Sequence, residues 1–377
     1  MRTYRALLWL WLAISQHPSI TLCHDSSAGD TRIRDRVCDS DSCHDGGESE
    51  RSHLGLVDVN DVFPPDGGVP DGLGDFETVR IRYGTNLRSE NGLWEVRPSP
   101  GKGLGVFARR KILKGTRIIE EAPLFTVDPG SLVNGQGFAF DSIAKAVDEA
   151  FASLNATAQA AYLSCPEHRD ADDAAFSREA LIFRTNGYTM TSGAIGIFPL
   201  VAKANHACRP NAAGVSLERK RIVWAGRDID AGEEVTVTYA PLAETTETRR
   251  ARLAQWGFRC SCETCTARDN GEGEADDLKR MEMKRLMGLI EQELGRDSFG
   301  GDVLPHAEEL VKLVEEVGLV DYLSKAYKYA AYAASRTGKF GAARRWAKKE
   351  FKVHEIADAE SVYAREAEAF LNSLPLL

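Results

Sequence analysis

Residues 205–211 read Asn-His-Ala-Cys-Arg-Pro-Asn, and this short polar run is embedded in strand-like sequence. Three strand-like stretches bounded by glycine or proline precede it between residues 93 and 127. Strand-like sequence returns around the run itself and continues to about residue 240. In between, residues 137–182 carry apolar side chains at spacings of three and four, which indicates helices. The sequence therefore predicts an irregular β fold with a helical insertion at about residues 137–185.

The C-terminal part of the chain, residues 275–377, has a helical pattern throughout. One stretch resembles a single tetratricopeptide-like (TPR-like) hairpin, because small side chains alternate with a large partner around a glycine turn. The residues in question are Ala330, Ala334, Gly338, Ala342 and Trp346. One such hairpin cannot bury its own apolar face, so we expect it to pack on the β domain. A partner-binding or substrate-gating arm and a structural brace both remain open. The predicted fold class is α+β, with an all-α C-terminal region.

A cysteine cluster follows the second strand-like block. Cys260, Cys262 and Cys265 form a C-x-C-x-x-C pattern, in which thiolates this close favour tetrahedral zinc over mutual disulfides. Three ligands leave one zinc position open, so a distant residue must supply the fourth. The alternative is a set of unrelated buried thiols.

Composition and charge limit the class of protein. The 377 residues are 43% apolar and 27% charged, which excludes a purely disordered or fibrous chain and allows two or three domains. The formal charge of -9 is concentrated between residues 24 and 77, where fourteen acids face four arginines. The rest of the chain is nearly neutral, which argues against a broad nucleic-acid-binding surface.

The N-terminal residues have the composition of segments outside a folded domain. Arg2 and Arg5 precede a nine-residue apolar run, which is typical of a secretory signal peptide over residues 1–23. An amphipathic or accidental apolar leader is the alternative. The run is too short to span a membrane. Residues 24–92 are rich in Asp, Ser and Gly and are expected to be mostly disordered.

Four motifs occur together in one order: a glycine turn at residues 101–105, the run at 205–211, Tyr239 at the end of a strand, and Gly-Phe-Arg-Cys-Ser-Cys-Glu-Thr-Cys at 257–265. In this order they resemble the SET-domain lysine methyltransferases that carry a cysteine-rich post-SET segment. The arrangement is similar to the SMYD and fungal SET-only branch, without its MYND zinc finger. The resemblance covers about residues 93–268. It predicts a SET-type irregular β fold at 93–245 and a post-SET zinc segment at 246–268.

The resemblance implies S-adenosylmethionine as the methyl donor. Glycines in the turn let the backbone approach the donor closely because no Cβ intrudes. The side-chain amide of Asn205 would bond the donor, His206 would contribute mainly backbone groups, and Phe258 would lie against the adenine face. The full set of implied donor-binding residues is Lys102, Gly103, Leu104, Asn205, His206, Tyr239 and Phe258.

The resemblance also assigns catalysis to Tyr239, whose hydroxyl would orient the amine of the target lysine. A channel lined by apolar and aromatic groups favours the neutral amine through desolvation. The channel candidates are Tyr188, Val201, Trp256 and Tyr239. Lys203, close to the donor motif, departs from the family pattern and puts the detailed geometry of this channel in question.

In the family pattern, Cys208 joins Cys260, Cys262 and Cys265 as the fourth ligand of a structural zinc site. The expected partner is a protein substrate, histone or non-histone, that carries the target lysine. We expect no direct binding of nucleic acid, no membrane span and a monomer. A SET-derived interaction module without catalysis is the alternative function. The location stays open, because the leader indicates export whereas the methyl donor and a reduced zinc site indicate the cell interior.

Overall fold

The computed structural model describes residues 36–38, 43–45, 88–89, 91–130, 140–295 and 302–375. Residues 1–23, for which we predict a signal peptide, lie outside the described residues. Most of the acidic region at 24–92 also lies outside them. Its described part includes two antiparallel strands, β1 (Arg36–Cys38) and β2 (Cys43–Asp45). No helix among the described residues is long and apolar enough to cross a membrane.

Three small sheets form the β domain. Their strands are β3 (Trp94–Ser99), β4 (Gly103–Ala108), β5 (Arg117–Glu121), β6 (Thr126–Val127), β7 (Gly187–Thr189), β8 (Ile195–Ile197), β9 (Asn205–His206), β10 (Ala212–Ser216), β11 (Arg221–Ala225) and β12 (Glu234–Val237). The strand orders are β3-β4-β12-β9, β10-β11-β5 and β6-β8-β7. Strands β12 and β9 are parallel, with Val237 opposite His206. This pairing brings the residues just beyond β12 close to the run at 205–211.

The helical insertion consists of α1 (Phe140–Ser153), α2 (Ala156–Leu163) and α3 (Arg178–Asn186). The apolar side chains of α1 recur at helical spacing and are buried, which is the pattern that predicts these helices. Asn155 and Ser177 accept hydrogen bonds from backbone N–H groups at the start of α2 and α3. These caps explain why the two helices begin where they do.

One stretch with a strand-like sequence folds differently. Residues 201–203 form a 3-10 turn between β8 and β9. The buried carboxylate of Glu121 accepts hydrogen bonds from the backbone N–H groups of Leu200 and Val201, and this holds the turn. The stabilising partner lies 80 residues away in sequence, so local propensity did not reveal the turn.

The remaining helices are α4 (Thr246–Leu253), α5 (Glu263–Asp269), α6 (Glu274–Leu294), α7 (Leu304–Val317), α8 (Leu323–Arg336), α9 (Phe340–Asp358) and α10 (Val362–Ser373). The prediction of an α+β protein with an all-helical C-terminal region is confirmed. Gly338 adopts a φ of 72° in the turn between α8 and α9, a conformation that favours glycine. The likeness to a TPR hairpin stays a prediction.

The helical region packs directly on the β domain. Ile222 and Trp224 of β11 share an apolar cluster with Val320 and Ala357 from the helical region. The Arg117 side chain donates a hydrogen bond to the carbonyl of Ile356 at 3.0 Å. The hydroxyl of Tyr322 accepts hydrogen bonds from the backbone of the segment after β12. These contacts make the helices a continuous extension of the β domain.

Candidate active site

Tyr239 lies two residues beyond β12, between the core of the β domain and the cysteine cluster. Its hydroxyl donates a hydrogen bond of 2.7 Å to the carbonyl oxygen of Ala204. The ring centroids of Trp256 and His206 lie 5.5 Å and 5.6 Å from that of Tyr239. Burial raises the pKa of Tyr239, so the hydroxyl stays protonated. The site therefore holds a neutral, oriented phenol.

Three of the seven predicted donor-binding residues meet around the carboxylate of Glu234. The side-chain amide of Asn205 donates to the carbonyl oxygen of Leu104 at 2.9 Å and to Glu234 Oε1 at 2.7 Å. Glu234 Oε2 in turn accepts a hydrogen bond from Lys102 Nζ at 3.0 Å. The structure thus brings Lys102, Leu104 and Asn205 together, although they come from distant parts of the chain.

The glycine turn has two structural reasons for glycine. Gly103 adopts a φ of 77°, a conformation that L side chains rarely adopt. Gly105 is extended, but a Cβ there would lie 2.3 Å from Glu234 Oε1 and 2.9 Å from Cε2 of Phe107. Any larger residue at position 105 would therefore displace the Glu234 carboxylate or the Phe107 ring.

The four channel candidates line two adjoining clusters. Tyr188 and Tyr239 pack on the core that contains the fully buried Val201. Trp256 and Phe258 pack with Tyr239 on the cysteine cluster, and Trp256 Nε1 donates to the carbonyl of Thr185 at 2.8 Å. Tyr239 belongs to both clusters and joins them. The side chain of Val201 is enclosed in the core. Its assignment to the channel surface stays a prediction.

Arg221 lies over the ring of one channel candidate, Tyr188. The guanidinium carbon of Arg221 lies 3.7 Å from the ring centroid of Tyr188. This is within the range of a cation–π interaction. Sequence patterns did not single out Arg221, because the contact depends on the tertiary fold.

The cysteine cluster unites Cys208 with Cys260, Cys262 and Cys265, and the four Sγ atoms lie within 4.8 Å of one another. The Sγ atoms of Cys208 and Cys265 are 3.7 Å apart. A tetrahedral zinc ion with Zn–S bonds of about 2.3 Å separates its sulfur ligands by about 3.8 Å. The spacing and the donor set both fit zinc.

His206 connects this cluster to Tyr239 through its imidazole ring. The backbone N–H of Tyr239 donates to Nδ1 at 3.1 Å, so the proton of a neutral ring must reside on Nε2. Nε2 lies 3.4 Å from the Sγ of Cys208 and donates toward it. Burial lowers the pKa of His206 to about 4, which keeps the ring neutral. The imidazole thus orients a sulfur ligand.

Three arginines surround the cysteine cluster. Arg280 is fully buried and donates to the carbonyl of Cys208 at 3.0 Å. Arg250 donates to the carbonyls of Cys260 and Cys265. The proximity of Cys208 raises the pKa of the fully buried Arg249 against the effect of burial. Four thiolates around Zn²⁺ leave two negative charges, which nearby guanidinium groups offset. These arginines carried no recognisable sequence signal.

Lys203 lies away from the site despite its position near the donor motif. Its ammonium donates to the hydroxyl and the carbonyl oxygen of Ser164 in the helical insertion. Burial lowers the pKa of Lys203. Lys203, which departs from the family pattern, therefore links the helical insertion to the 3-10 turn through hydrogen bonds. Burial raises the pKa of the neighbouring Glu121 to about 7.

Comparisons with known proteins identify the domain family of the central part of the chain. Residues 103–240 match the family model described as "SET domain", so this part of the chain is a SET domain. The SET domain that the sequence motifs predict is confirmed.

Three similar proteins are named as methyltransferases. The histone-lysine N-methyltransferase set5 of Schizosaccharomyces pombe is 31% identical over 199 residues, covering 52% of this chain and 57% of that protein. The histone-lysine N-methyltransferase SMYD3 of Homo sapiens is 37% identical over 76 residues, covering 20% of this chain and 18% of that protein. The N-lysine methyltransferase SMYD2 of Homo sapiens is 33% identical over 118 residues, covering 30% of this chain and 26% of that protein. The chain thus spans less than two thirds of the length of each of these relatives.

Proposed function

We propose that this chain is an S-adenosylmethionine-dependent protein-lysine N-methyltransferase whose donor pocket is closed by a structural zinc site. The observation that carries the proposal is the position of the Tyr239 hydroxyl. The hydroxyl donates to the carbonyl of Ala204, and the partly buried ring packs beside the Asn205–His206 strand and on the four-cysteine cluster. The SET-domain match and the names of the similar proteins support the same activity.

The donor would be held by residues that already form a polar cradle. The carbonyl of Leu104 and the amide of Asn205 bond each other in the structure, and donor binding would exchange this contact for contacts with the ligand. Glu234 bridges Asn205 and Lys102 and carries negative charge at the same place. A cationic donor with an amino-acid portion fits such a mixed set of groups. Bound S-adenosylmethionine supplies the electrophilic methyl group.

The chain itself would prepare the methyl acceptor. A lysine amine has a pKa of about 10.4 in water and must lose a proton before it can attack. The rings of Tyr188, Tyr239 and Trp256 form an apolar and aromatic environment, which lowers the pKa of an enclosed amine through desolvation. The Tyr239 hydroxyl is fixed by Ala204 and would position the amine.

Zinc would act structurally at this site. Four thiolates complete a tetrahedron and leave no open coordination position for substrate. The loop between Cys260 and α4 carries Trp256 and Phe258, so a bound ion would hold both aromatic rings in place.

The methyl acceptor is proposed to be a lysine side chain of a protein. The names of the similar proteins cover histone lysines and protein lysines in general. The nearly neutral charge of residues 78–377 offers no broad field for nucleic acid, so we propose no direct nucleic-acid partner. We propose a monomer as the active form.

The first experiment measures donor binding. Isothermal titration of the zinc-loaded full chain with S-adenosylmethionine is expected to show one saturable site. A folded, zinc-loaded chain without donor binding would refute the enzyme and favour a SET-derived interaction module.

The second experiment tests Tyr239. Tyr239→Phe removes only the hydroxyl and is expected to reduce methyl transfer to a lysine peptide library by about 100-fold, a typical cost of losing one preorganised polar group at a reacting centre. Donor affinity should change little. Tyr329→Phe is the matched control, since its hydroxyl bonds Glu291 in the helical region. Equal turnover of Tyr239→Phe and the control would remove Tyr239 from its catalytic role.

A further inference from the structure

An open cavity lies between α8, α9 and α10 of the C-terminal helical region. Its volume is about 370 Å³. Helix α8 contributes Lys328 and Tyr332, α9 contributes Glu350, and α10 contributes Glu366 and Phe370. None of these residues takes part in the candidate active site, so the cavity requires its own explanation.

Glu350 is the unusual group in this cavity. Its side chain is only 3% exposed, and its Oε2 atom is enclosed without a hydrogen-bond partner in the part of the chain that the structure describes. An unpartnered buried carboxylate oxygen costs free energy, and such groups in folded proteins generally have a partner. Burial raises the pKa of Glu350 to about 7, so without a cation the group is partly protonated at neutral pH. A cationic hydrogen-bond donor would remove both penalties at once.

Two aromatic rings form a wall of the same cavity. The rings of Tyr332 and Phe370 are stacked, with centroids 4.2 Å apart and an interplanar angle of 11°. Tyr332 is 37% exposed, so part of its ring is accessible from the cavity. The carboxylates of Glu350 and Glu366 both help to raise the pKa of Tyr332, after burial as the main cause, so both acids lie close to this ring.

The ammonium of Lys328 lies near the face of the Tyr332 ring. Its ammonium lies 5.9 Å from the ring centroid of Tyr332, the outer range of a cation–π interaction. Lys328 acts on Glu350 only as a nearby charge that lowers its pKa, and it leaves Oε2 without a hydrogen bond. Lys328 therefore lines the cavity without giving Glu350 Oε2 a hydrogen bond.

We propose that this cavity binds an organic cation that carries N–H groups, a primary ammonium or a guanidinium, with Glu350 as the buried acceptor. Glu366 adds negative charge at the entrance, and the Tyr332 and Phe370 rings pack against the carbon chain of the ligand. The same chemistry is present in a small free amine and in the lysine or arginine side chain of a second protein.

Other cations fit the cavity less well. A quaternary ammonium ion has no N–H group and would leave Glu350 Oε2 unpartnered. A divalent metal ion takes about six or more oxygen ligands, whereas only Glu350 and the exposed Glu366 supply carboxylates here. The requirement for a hydrogen-bond donor is therefore the distinguishing property of the site.

The test is calorimetric titration of the full chain at pH 8 with n-butylammonium chloride, with tetramethylammonium chloride at equal ionic strength as the comparison. Saturable binding of butylammonium, at least 10-fold tighter than that of tetramethylammonium, is expected. Equal affinity for the two ions, or no saturable binding of butylammonium, would overturn the proposal.

Variants localise the site. Glu350→Gln keeps the shape and removes the charge, and is expected to weaken butylammonium binding about 10- to 100-fold, the range for loss of a charged hydrogen bond. Glu366→Gln should weaken it less, because Glu366 is exposed. Glu368→Gln on the same helix is the matched control, since Glu368 does not line the cavity. Unchanged affinity in Glu350→Gln would overturn the proposal, and Glu366→Gln gives an independent test should Glu350→Gln not fold.

A further titration separates the two sources of the cation. A peptide with blocked termini and one lysine is compared with the same peptide carrying acetyl-lysine. The candidate active site also takes lysine, so only the binding lost in Glu350→Gln is assigned to this cavity. Tighter Glu350-dependent binding of the lysine peptide than of butylammonium indicates a protein partner, and the reverse order indicates a free amine.

Discussion

Arg280→Met tests whether the helical region holds the candidate zinc site in place. Arg280 lies on α6 and its side chain is 0% exposed. Its guanidinium donates to Asp276 at 2.5 Å, to the carbonyl of Leu242 at 2.8 Å and to the carbonyl of Cys208 at 3.0 Å. One side chain thus joins α6, the segment after β12 and the backbone of a cysteine in the cluster. Methionine preserves much of the length and removes every donor.

The magnitude follows from the groups that lose their partner. Breaking a buried ion pair by removing one partner costs about 3–5 kcal/mol. Asp276 keeps a second ion pair with Arg209 at 3.0 Å, which reduces that part of the loss. The two carbonyl oxygens each lose a charged hydrogen bond, worth about 1.5–3 kcal/mol. Losses at contacts that share one side chain do not add in full. We therefore expect Arg280→Met to lower the free energy of unfolding by about 3–5 kcal/mol, the range for removing one partner of a buried pair.

The assay combines urea denaturation, followed by circular dichroism, with release of zinc to a coloured chelator. The urea midpoint should fall, and zinc should leave the variant several-fold faster because the Cys208 carbonyl is no longer anchored. Arg285→Met is the control on the same helix, since the Arg285 side chain is 55% exposed and, among the residues that the structure describes, pairs only with Glu282. Surface pairs of this kind contribute about 0–1 kcal/mol. Equal effects of the two substitutions, or a stability loss without faster zinc release, would refute the reasoning.

Three further substitutions probe packing and pH dependence. Gly226→Ala should destabilise the chain by about 1–3 kcal/mol, because a Cβ would lie 2.3 Å from Cγ2 of Val320 at the junction with the helical region. Gly288→Ala, in open space on α6, should instead stabilise by about 0.4–1 kcal/mol, and a gain in both variants by thermal denaturation would contradict the close contact. Glu121 has a folded-state pKa raised from 4.5 to about 7, so its folded form binds a proton more readily and its contribution to stability is lost as pH rises from 4.5 through 7. Relative to Glu121→Gln, the wild-type chain should therefore lose up to about 3 kcal/mol of unfolding free energy between pH 4.5 and 8 in urea titrations, and parallel pH profiles would argue against it.

The motifs of the β domain were readable because their chemistry restricts residue type at fixed positions. Asn205, Tyr239 and the C-x-C-x-x-C pattern kept their order along the chain, and this order predicted the SET domain that the family comparison confirms. Periodicity likewise predicted α1 and the C-terminal helices, since an apolar stripe is a local property of the sequence. The 3-10 turn at Val201–Lys203 was not predicted, because its stabilising carboxylate comes from β5.

The sequence by itself therefore determined the class of fold and the residue types of the candidate site. It also predicted that a distant residue completes the cysteine cluster, and the family resemblance implied Cys208. Only the tertiary structure decided the contacts of the buried polar groups. The ring of His206 contacts the Sγ of Cys208, and Arg280 donates to the carbonyl of Cys208. Glu350 Oε2 is left without a hydrogen-bond partner in the part of the chain that the structure describes. The physical reason is burial. The hydrogen-bond partners and the pKa of a buried polar group depend on elements far apart in the chain, and the sequence near that group carries no record of them.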